Sequence, residues 1–286
     1  MPSIRPAAVA GMFYPGTPAV LGAAVRAYLA EARSTAECSA VLPKALIVPH
    51  AGYVYSGPVA ASAYRLVAPG RNTIRRVVLL GPVHRVPVRG LVLPASTAFS
   101  TPLGTLDVDS AAAARALEMP QVGVNETAHA LEHSLEVQLP FLQTVLEDFR
   151  IVPLAVGDAS AEEVALVIER LWGGPETLIV VSSDLSHYHS YAAARQLDRD
   201  TASAILALAS SLDHEQACGA TPINGLALCA RRRGLKAELI DLRNSGDTAG
   251  DKARVVGYAS FAFSEQVRPT PHKTEADAVA EAADAR

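Results

Sequence analysis

The strongest constraint on the fold is that short apolar runs alternate with longer stretches of helical periodicity along most of the chain. The apolar runs are bounded by Pro, Gly or Asp, which is typical of buried strands. Predicted strands are 45–49, 76–80, 90–93, 151–156, 177–182, 237–242 and 255–263. Predicted helices are 18–33, 58–67, 110–117, 131–148, 161–171, 190–210 and 222–233, with the fourth broken or kinked at Pro140. This order predicts an α/β protein with a mostly parallel or mixed central sheet flanked by helices.

No linker or internal repeat divides the chain before residue 265, so we expect a single domain over residues 1–264. Half of the 286 residues are hydrophobic and 19% are charged, a composition typical of folded globular proteins. From 265 to 286 the apolar periodicity is lost, which predicts a mobile C-terminal tail.

Charge and cysteine content limit the partners and the compartment. The formal net charge of −4 is spread along the chain and leaves no basic surface for nucleic acid or anionic lipid. No apolar stretch is long enough to span a bilayer, so we expect no membrane partner. Cys38, Cys218 and Cys229 form neither a CxxC motif nor an even framework, which favours a reducing compartment and a cytoplasmic protein.

Histidines stand at the ends of two predicted strands. His50 ends the first in "IVPHAG" and His84 ends the second in "LLGPVHR", while "SSDLSHY" places Asp184 and His187 after the fifth. Ligands of open α/β sheets bind outside the carboxyl ends of the strands. If these strands are parallel neighbours, the side chains converge on one rim and suit a divalent transition metal. The alternative is that each histidine caps a loop or satisfies a buried backbone group.

Cys218, in "CGATPI", is a further candidate. It precedes Pro222, a suitable first helical residue, so its thiol would lie near a helix N-terminus, where the thiolate is favoured. It is then a metal ligand or a nucleophile. A free cysteine is more often a small buried hydrophobe, so both interpretations stay open.

The segment "HALEH" at 129–133 fits the H-x-x-E-H pattern of inverted zinc peptidases. The pattern is short, and apolar residues at Leu131 and Leu135 in the same predicted helix indicate core packing instead. We therefore expect His133 and Glu136 to reach the rim from behind the metal ligands and to orient them.

Seven segments, in this order, carry a family resemblance: "RPAAVAGMFYPG", "VPHAGYVYSG", "LLGPVHR", "FSTPLGTLDVD", "EHSLEVQLPFL", "SSDLSHY" and "CGATPI". They resemble the Memo family, whose bacterial and archaeal members are called AmmeMemoRadiSam system protein B, and the similarity covers residues 5–263. The resemblance implies a fold similar to that of the class III extradiol (LigB-like) dioxygenases, which are non-haem iron enzymes. That fold is a three-layer α/β domain with its site at the carboxyl rim of the sheet.

By motif, the resemblance places the metal ligands at His50, His84 and Cys218. Asp184 and His187 line the same pocket, and His187 is implied to be the catalytic acid or base that Asp184 orients. Fe(II) is the implied metal, with Cu or Zn as alternatives. The dioxygenases complete their iron site with a carboxylate whereas this pattern offers Cys218, so ring cleavage does not follow from the fold. The system name also implies a radical SAM protein as a functional partner.

Three functions follow from these observations. The first is a metal-dependent oxidoreductase, an iron or copper redox protein with a dioxygenase-like pocket for an unknown small molecule. The second is a non-catalytic binding or adaptor module that keeps the ancestral pocket for a metal or a peptide. The third is a zinc-dependent hydrolase in which Asp184 or His187 activates a water.

Overall fold

The computed structural model of the chain describes residues 3–32 and 41–265. The strands are β1 (Ile4–Arg5), β2 (Ala45–Val48), β3 (Arg76–Pro82), β4 (Leu91–Leu93), β5 (Ala98–Thr101), β6 (Gly104–Asp107), β7 (Val122–Val124), β8 (Arg150–Val156), β9 (Thr177–Ser182), β10 (His187–His189), β11 (Leu235–Asn244) and β12 (Val255–Glu265). The α-helices are α1 (Pro18–Glu31), α2 (Tyr53–Tyr64), α3 (Ser110–Leu117), α4 (Glu126–Ala130), α5 (Leu139–Val145), α6 (Ala161–Arg170), α7 (Tyr191–Leu206), α8 (Ala220–Arg233) and α9 (Ser245–Thr248). Cys38 lies outside the described residues, and so does the predicted tail 265–286 apart from Glu265.

A mixed sheet forms the centre of the molecule, in the strand order β10-β12-β2-β9-β3-β8-β4-β7, and β11 also pairs with β12. The neighbours β2, β9, β3 and β8 run parallel to one another, and the antiparallel strands β12 and β4 lie beside β2 and β8. The strands β1, β5 and β6 form a second sheet. The single α/β domain with a mixed central sheet that the sequence predicts is confirmed.

Helices cover both faces of the sheet because its central strands are apolar on both sides. Along β3, Val78 and Leu80 belong to one hydrophobic core, which includes residues of α3, α6 and α8. Val77 and Leu79 belong to the other core, which includes residues of α1, α2 and α5. Strands buried on both faces read as continuous apolar runs, which is why they stand out in the sequence.

The helices are short relative to the thickness of a bilayer. The longest in the described part of the chain, α7, has 16 residues. Within residues 3–32 and 41–265, no helix combines the length and the apolar character needed to cross a membrane.

The helix predicted over residues 131–148 is wrong in its first half. α4 ends at Ala130, and the chain becomes helical again only in the 3₁₀ turn Glu136–Gln138 and in α5. Between them the Glu132 carboxylate accepts hydrogen bonds from the backbone N–H groups of His133 and Ser134, both at 2.9 Å. Side-chain acceptors of this kind compete with the helical ladder. Pro140 then falls in the first turn of α5, where its missing N–H leaves no bond unmade.

Candidate metal centre

Three neighbouring parallel strands end at one rim of the sheet, and each is followed by a polar side chain. His50, Asp184 and His84 lie two residues beyond the ends of β2, β9 and β3. The Asp184 carboxylate accepts the backbone N–H of His50 at 2.7 Å, and the ring centroids of His50 and His84 are 5.2 Å apart. The strand ends thus bring together residues that are more than thirty positions apart in sequence.

His133 completes a cluster of three imidazoles, which we call the histidine cluster (His50, His84 and His133). One ring nitrogen of each lies within 4.8 Å of one ring nitrogen of the other two, close enough to hold a metal ion. The ring of His133 lies 4.5 Å from that of His84 and 5.4 Å from that of His50, centroid to centroid. His50 is buried while His84 is exposed, so the cluster is open to solvent on the His84 side.

Hydrogen bonds fix the tautomer of His50. The Ser182 hydroxyl has one proton, which it donates to the carbonyl of Ser134 at 2.6 Å. Nδ1 of His50, 2.9 Å from the same hydroxyl oxygen, must therefore be the protonated nitrogen and donate to it. Nε2 of His50 is left with a free lone pair, as a metal ligand requires.

Glu132 orients His84 in the same way. Its Oε1 accepts from Nδ1 of His84 at 2.8 Å, and its Oε2 accepts from the backbone N–H of His84 at 2.6 Å. Burial alone would raise the pKa of Glu132, but these hydrogen bonds and the one from Ser134 lower it to about 2. The carboxylate is therefore ionised and accepts only, which leaves Nε2 of His84 free for a metal. Carboxylate–histidine pairs of this kind are common behind metal sites.

His133 is neutral in the folded protein. Burial, followed by the electrostatic effect of the neighbouring His84, lowers the pKa of His133 to about 4. Its ring lies 4.8 Å from the ring of Phe13, which packs against it. Burial also holds the pKa of His50 well below its ordinary value. Neutral imidazoles are the form that binds metals.

Cys218 lies at the His50 side of the cluster. Its Sγ is 3.4 Å from Nε2 of His50 and 3.8 Å from the hydroxyl of Ser183. Burial raises the pKa of the thiol to about 12, so without a metal it is protonated and can donate to that nitrogen. Gly219 permits this approach, because a Cβ there would lie 2.7 Å from the Cβ of Ser183.

Asp184 and His187 lie beside the histidine cluster. Burial raises the pKa of Asp184 to about 7, and its carboxylate binds the backbone of His50. His187 is half-buried on β10, next to the exposed ring of Tyr188 at 5.7 Å, and burial lowers its pKa. The structure thus directs Asp184 toward His50, whereas the sequence predicted that it orients His187.

Glu136 is engaged elsewhere. Its carboxylate is fully buried and accepts from Arg5 at 2.6 Å, from the Tyr14 hydroxyl at 2.6 Å and from the backbone N–H groups of Ala8 and Val9. The orienting position that the sequence assigned to Glu136 is held by Glu132. The two histidines of the peptidase pattern also lie in different places. His133 belongs to the histidine cluster, whereas His129 donates from Nε2 to the carbonyl of Val92 and is not part of the cluster.

Sequence reasoning missed Glu132 as the partner of His84. It expected His133 behind the ligands, whereas the structure places its ring beside those of His50 and His84. Glu132 and His133 both belong to "HALEH", so the signal was present but was read as helix. The bond from His84 N–H to Glu132 spans 48 positions, and no local periodicity reports such a contact.

The fold and the cluster define a class: α/β proteins with an imidazole site, suited to a metal ion, at the carboxyl rim of a mixed sheet. Residues 5–262 match the model of the Memo-like protein family. The chain belongs to this family.

Several relatives are similar over most of their length. A MEMO1 family protein of Archaeoglobus fulgidus is 37% identical over 271 residues, covering 89% of this chain and 97% of the relative. One from Methanosarcina barkeri is 38% identical over 277 residues, covering 90% of this chain and 99% of the relative. Among solved structures, the uncharacterized protein JW3007 of Escherichia coli K12 matches with a TM-score of 0.53 at 15% identity, over 76% of this chain and 98% of that one. This last similarity concerns the fold alone.

Proposed function

We propose that this chain is a metal-binding redox protein whose histidine cluster holds Fe(II), with Cu as the alternative redox metal. Zn suits the same ligands but has no redox chemistry, so it belongs to the hydrolase alternative. The observation that carries the proposal is the hydrogen bonding of the candidate ligands: His50 and His84 each donate from Nδ1 to an acceptor, so Nε2 is the unprotonated nitrogen in both rings. Three imidazoles suit Fe, Cu and Zn and leave positions open on the metal. A bound Fe(II) or Cu ion would supply one-electron chemistry at this rim.

The residues around the cluster have separate roles in this proposal. Cys218, in contact with His50, either completes the ligand set in place of His133 or stands beside it as an oxidisable thiol. His187 holds or releases a proton near the substrate as the catalytic acid or base, and Asp184 fixes the backbone of His50. The substrate is an unknown small molecule or peptide, and a radical SAM protein is the proposed functional partner.

The cysteines support a cytoplasmic location. Cys218 and Cys229 are both free thiols in the described structure, with Cys229 fully buried. A thiol beside a redox metal stays reduced most easily in a reducing compartment.

The experiment is an anaerobic calorimetric titration with Fe(II), Cu(I) and Zn(II). We expect native protein to bind Fe(II) or Cu(I), and His50→Ala and His84→Ala to abolish binding. His129→Gln is the matched control, since His129 lies in the neighbouring helix outside the cluster, and it should bind as the native protein does.

The same titration separates the two ligand sets. Loss of binding in His133→Ala but not in Cys218→Ser assigns the site to three imidazoles, and the reverse assigns it to His50, His84 and Cys218. A strong preference for Zn(II) would favour the zinc-dependent hydrolase. If no metal bound, or if the variants bound like the native protein, the redox function would be refuted and a binding or adaptor module would replace it.

A further inference from the structure

A cavity of about 500 Å³ opens beside the histidine cluster. His84 and Cys218 line it, so its occupant would lie against the candidate metal ligands. Much of the remaining wall is apolar: Pro82, Val83, Val86, Pro87, Val88 and Val156. This volume is in the range of sites for small molecules, and such a wall suits an apolar body.

Three other polar residues line the cavity: Arg85, Asp158 and His214. The ring of His214 is engaged, with Nδ1 3.2 Å from the Cys218 carbonyl and Nε2 3.3 Å from the Thr221 hydroxyl. Arg85 is exposed, and its guanidinium makes no hydrogen bond or ion pair with any residue in the described part of the chain. It therefore offers its donors to an occupant of the cavity.

The backbone that carries Arg85 is held in place. The backbone N–H of the preceding residue, His84, donates to Glu132 at 2.6 Å. At the far end of the same loop, the N–H of Asp158 donates to the carbonyl of Val88 at 2.8 Å. Gly157 makes this approach possible, since a Cβ there would lie 2.1 Å from that carbonyl oxygen. A charged group on a fixed loop binds an anion at a lower cost in ordering than one on a loose loop.

We propose that Arg85 binds the carboxylate of a small organic acid whose apolar body fills this cavity. A guanidinium and a carboxylate form two parallel charge-assisted hydrogen bonds, and Arg is suited to this geometry. Asp158, which lines the same cavity and makes no ion pair with Arg85, disfavours a second negative charge on the occupant. The site thus takes a monocarboxylate in preference to phosphate.

The proposal names a substrate class for the function proposed above, and it rests on that function for the claim that the acid meets a metal.

The test uses benzoate and its neutral analogue benzamide as probes, titrated by calorimetry into metal-free and Fe(II)-loaded protein. Native protein should bind benzoate about tenfold more tightly than benzamide, the size of one charge-assisted contact. Arg85→Gln should bring the two affinities within about twofold, and Arg85→Lys should keep part of the preference. Arg89→Gln, which changes an exposed arginine of the same loop outside the cavity lining, should behave like native protein.

The absence of a benzoate preference in native protein, including no measurable binding of either probe, would overturn the proposal, and so would a preference that survives in Arg85→Gln. Tighter binding of inorganic phosphate than of benzoate would overturn the assignment to a monocarboxylate. Metal affinity is measured on the same samples. Normal Fe(II) binding without benzoate preference refutes only the Arg85 site, whereas an Arg85-dependent preference without metal binding refutes only the metal function.

Discussion

At the scale of single residues, Glu132 has the densest set of interactions at the site. Its two carboxylate oxygens accept four hydrogen bonds, three of them from backbone N–H groups and one from the ring of His84. It thereby joins the end of β3 to the segment that carries His133. The side chain acts at once on the conformation of the backbone and on the tautomer of His84, a candidate metal ligand.

Glu132→Gln tests both effects. An amide presents its NH₂ group where the carboxylate accepts, so at least one buried N–H loses its partner, and the charge that favours Nδ1–H on His84 disappears. We expect metal affinity to fall by about 10- to 100-fold and the free energy of unfolding by about 1–3 kcal/mol. Calorimetric titration and urea unfolding measure the two quantities.

Glu126→Gln is the control for this variant. Glu126 also accepts backbone N–H groups, those of Ala95 and Ser96, but it is not a member of the histidine cluster and makes no hydrogen bond to its three residues. It should lose stability without losing metal affinity. Unchanged metal affinity in Glu132→Gln would show that the carboxylate does not orient His84.

At the scale of elements, the short strand β1 anchors the segment that contains the site. The buried guanidinium of Arg5 donates to Glu136 at 2.6 Å, to the carbonyl of His129 at 2.6 Å and to the carbonyl of Glu132 at 2.6 Å. Arg5 also stacks over Phe99 of β5, 4.8 Å from the ring centroid. One side chain thus satisfies the carbonyls exposed where α4 ends.

Arg5→Met should be strongly destabilising, because it leaves the Glu136 carboxylate buried without a cation. We expect a loss of about 3–5 kcal/mol in the free energy of unfolding, measured by urea unfolding. The double variant Arg5→Met/Glu136→Gln should recover part of this loss. Arg71→Met, which breaks the exposed pair with Glu147, should cost less than about 1 kcal/mol. A similar small loss for Arg5→Met would contradict the anchoring role.

At the scale of the whole molecule, buried neutral histidines make stability depend on pH. Burial lowers the pKa of His129 to about 4, and its Nδ1 has no hydrogen-bond partner among the described residues. The unfolded chain takes up this proton near pH 6.5 whereas the folded protein does so only near pH 4, so the unfolded state binds more protons between these values. The contribution of His129 to the free energy of unfolding is therefore fully present above pH 6.5 and is lost as the pH falls toward 4.

His129 contributes at most about 3 kcal/mol to the free energy of unfolding, because its pKa falls from 6.5 in the unfolded chain to about 4 in the folded protein. Burial raises the pKa of Asp198 to about 6, so this residue changes the free energy of unfolding in the opposite direction over the same pH range. The effect of His129 is therefore measured by comparing a variant at this position with native protein. His129→Gln keeps a donor for the carbonyl of Val92 and does not titrate. Urea unfolding from pH 4 to 7 should show a shallower loss of stability for this variant than for native protein, and parallel curves would contradict the assignment.

The fold followed from the sequence because burial on both faces leaves a continuous apolar run. β2, β3 and β9 were located by this pattern, and the end of each strand located His50, His84 and Asp184. Short strands such as β1, β5 and β10 have two to four residues and carry too little periodicity to be recognised. The site was therefore predictable where its residues adjoin long buried strands.

The sequence by itself determined the α/β class, the rim of the sheet and two of the three imidazoles, because these depend on local apolar patterns and on strand direction. Only the tertiary structure decided that His133 joins them, that Glu132 and not Glu136 orients His84, and that Arg85 lines an adjoining cavity and has no hydrogen-bond or ion-pair partner among the described residues. The physical reason is that these choices depend on hydrogen bonds between distant segments. Residues 131–135 leave the helix their spacing predicts because Glu132 accepts backbone donors from its own turn and from the end of β3.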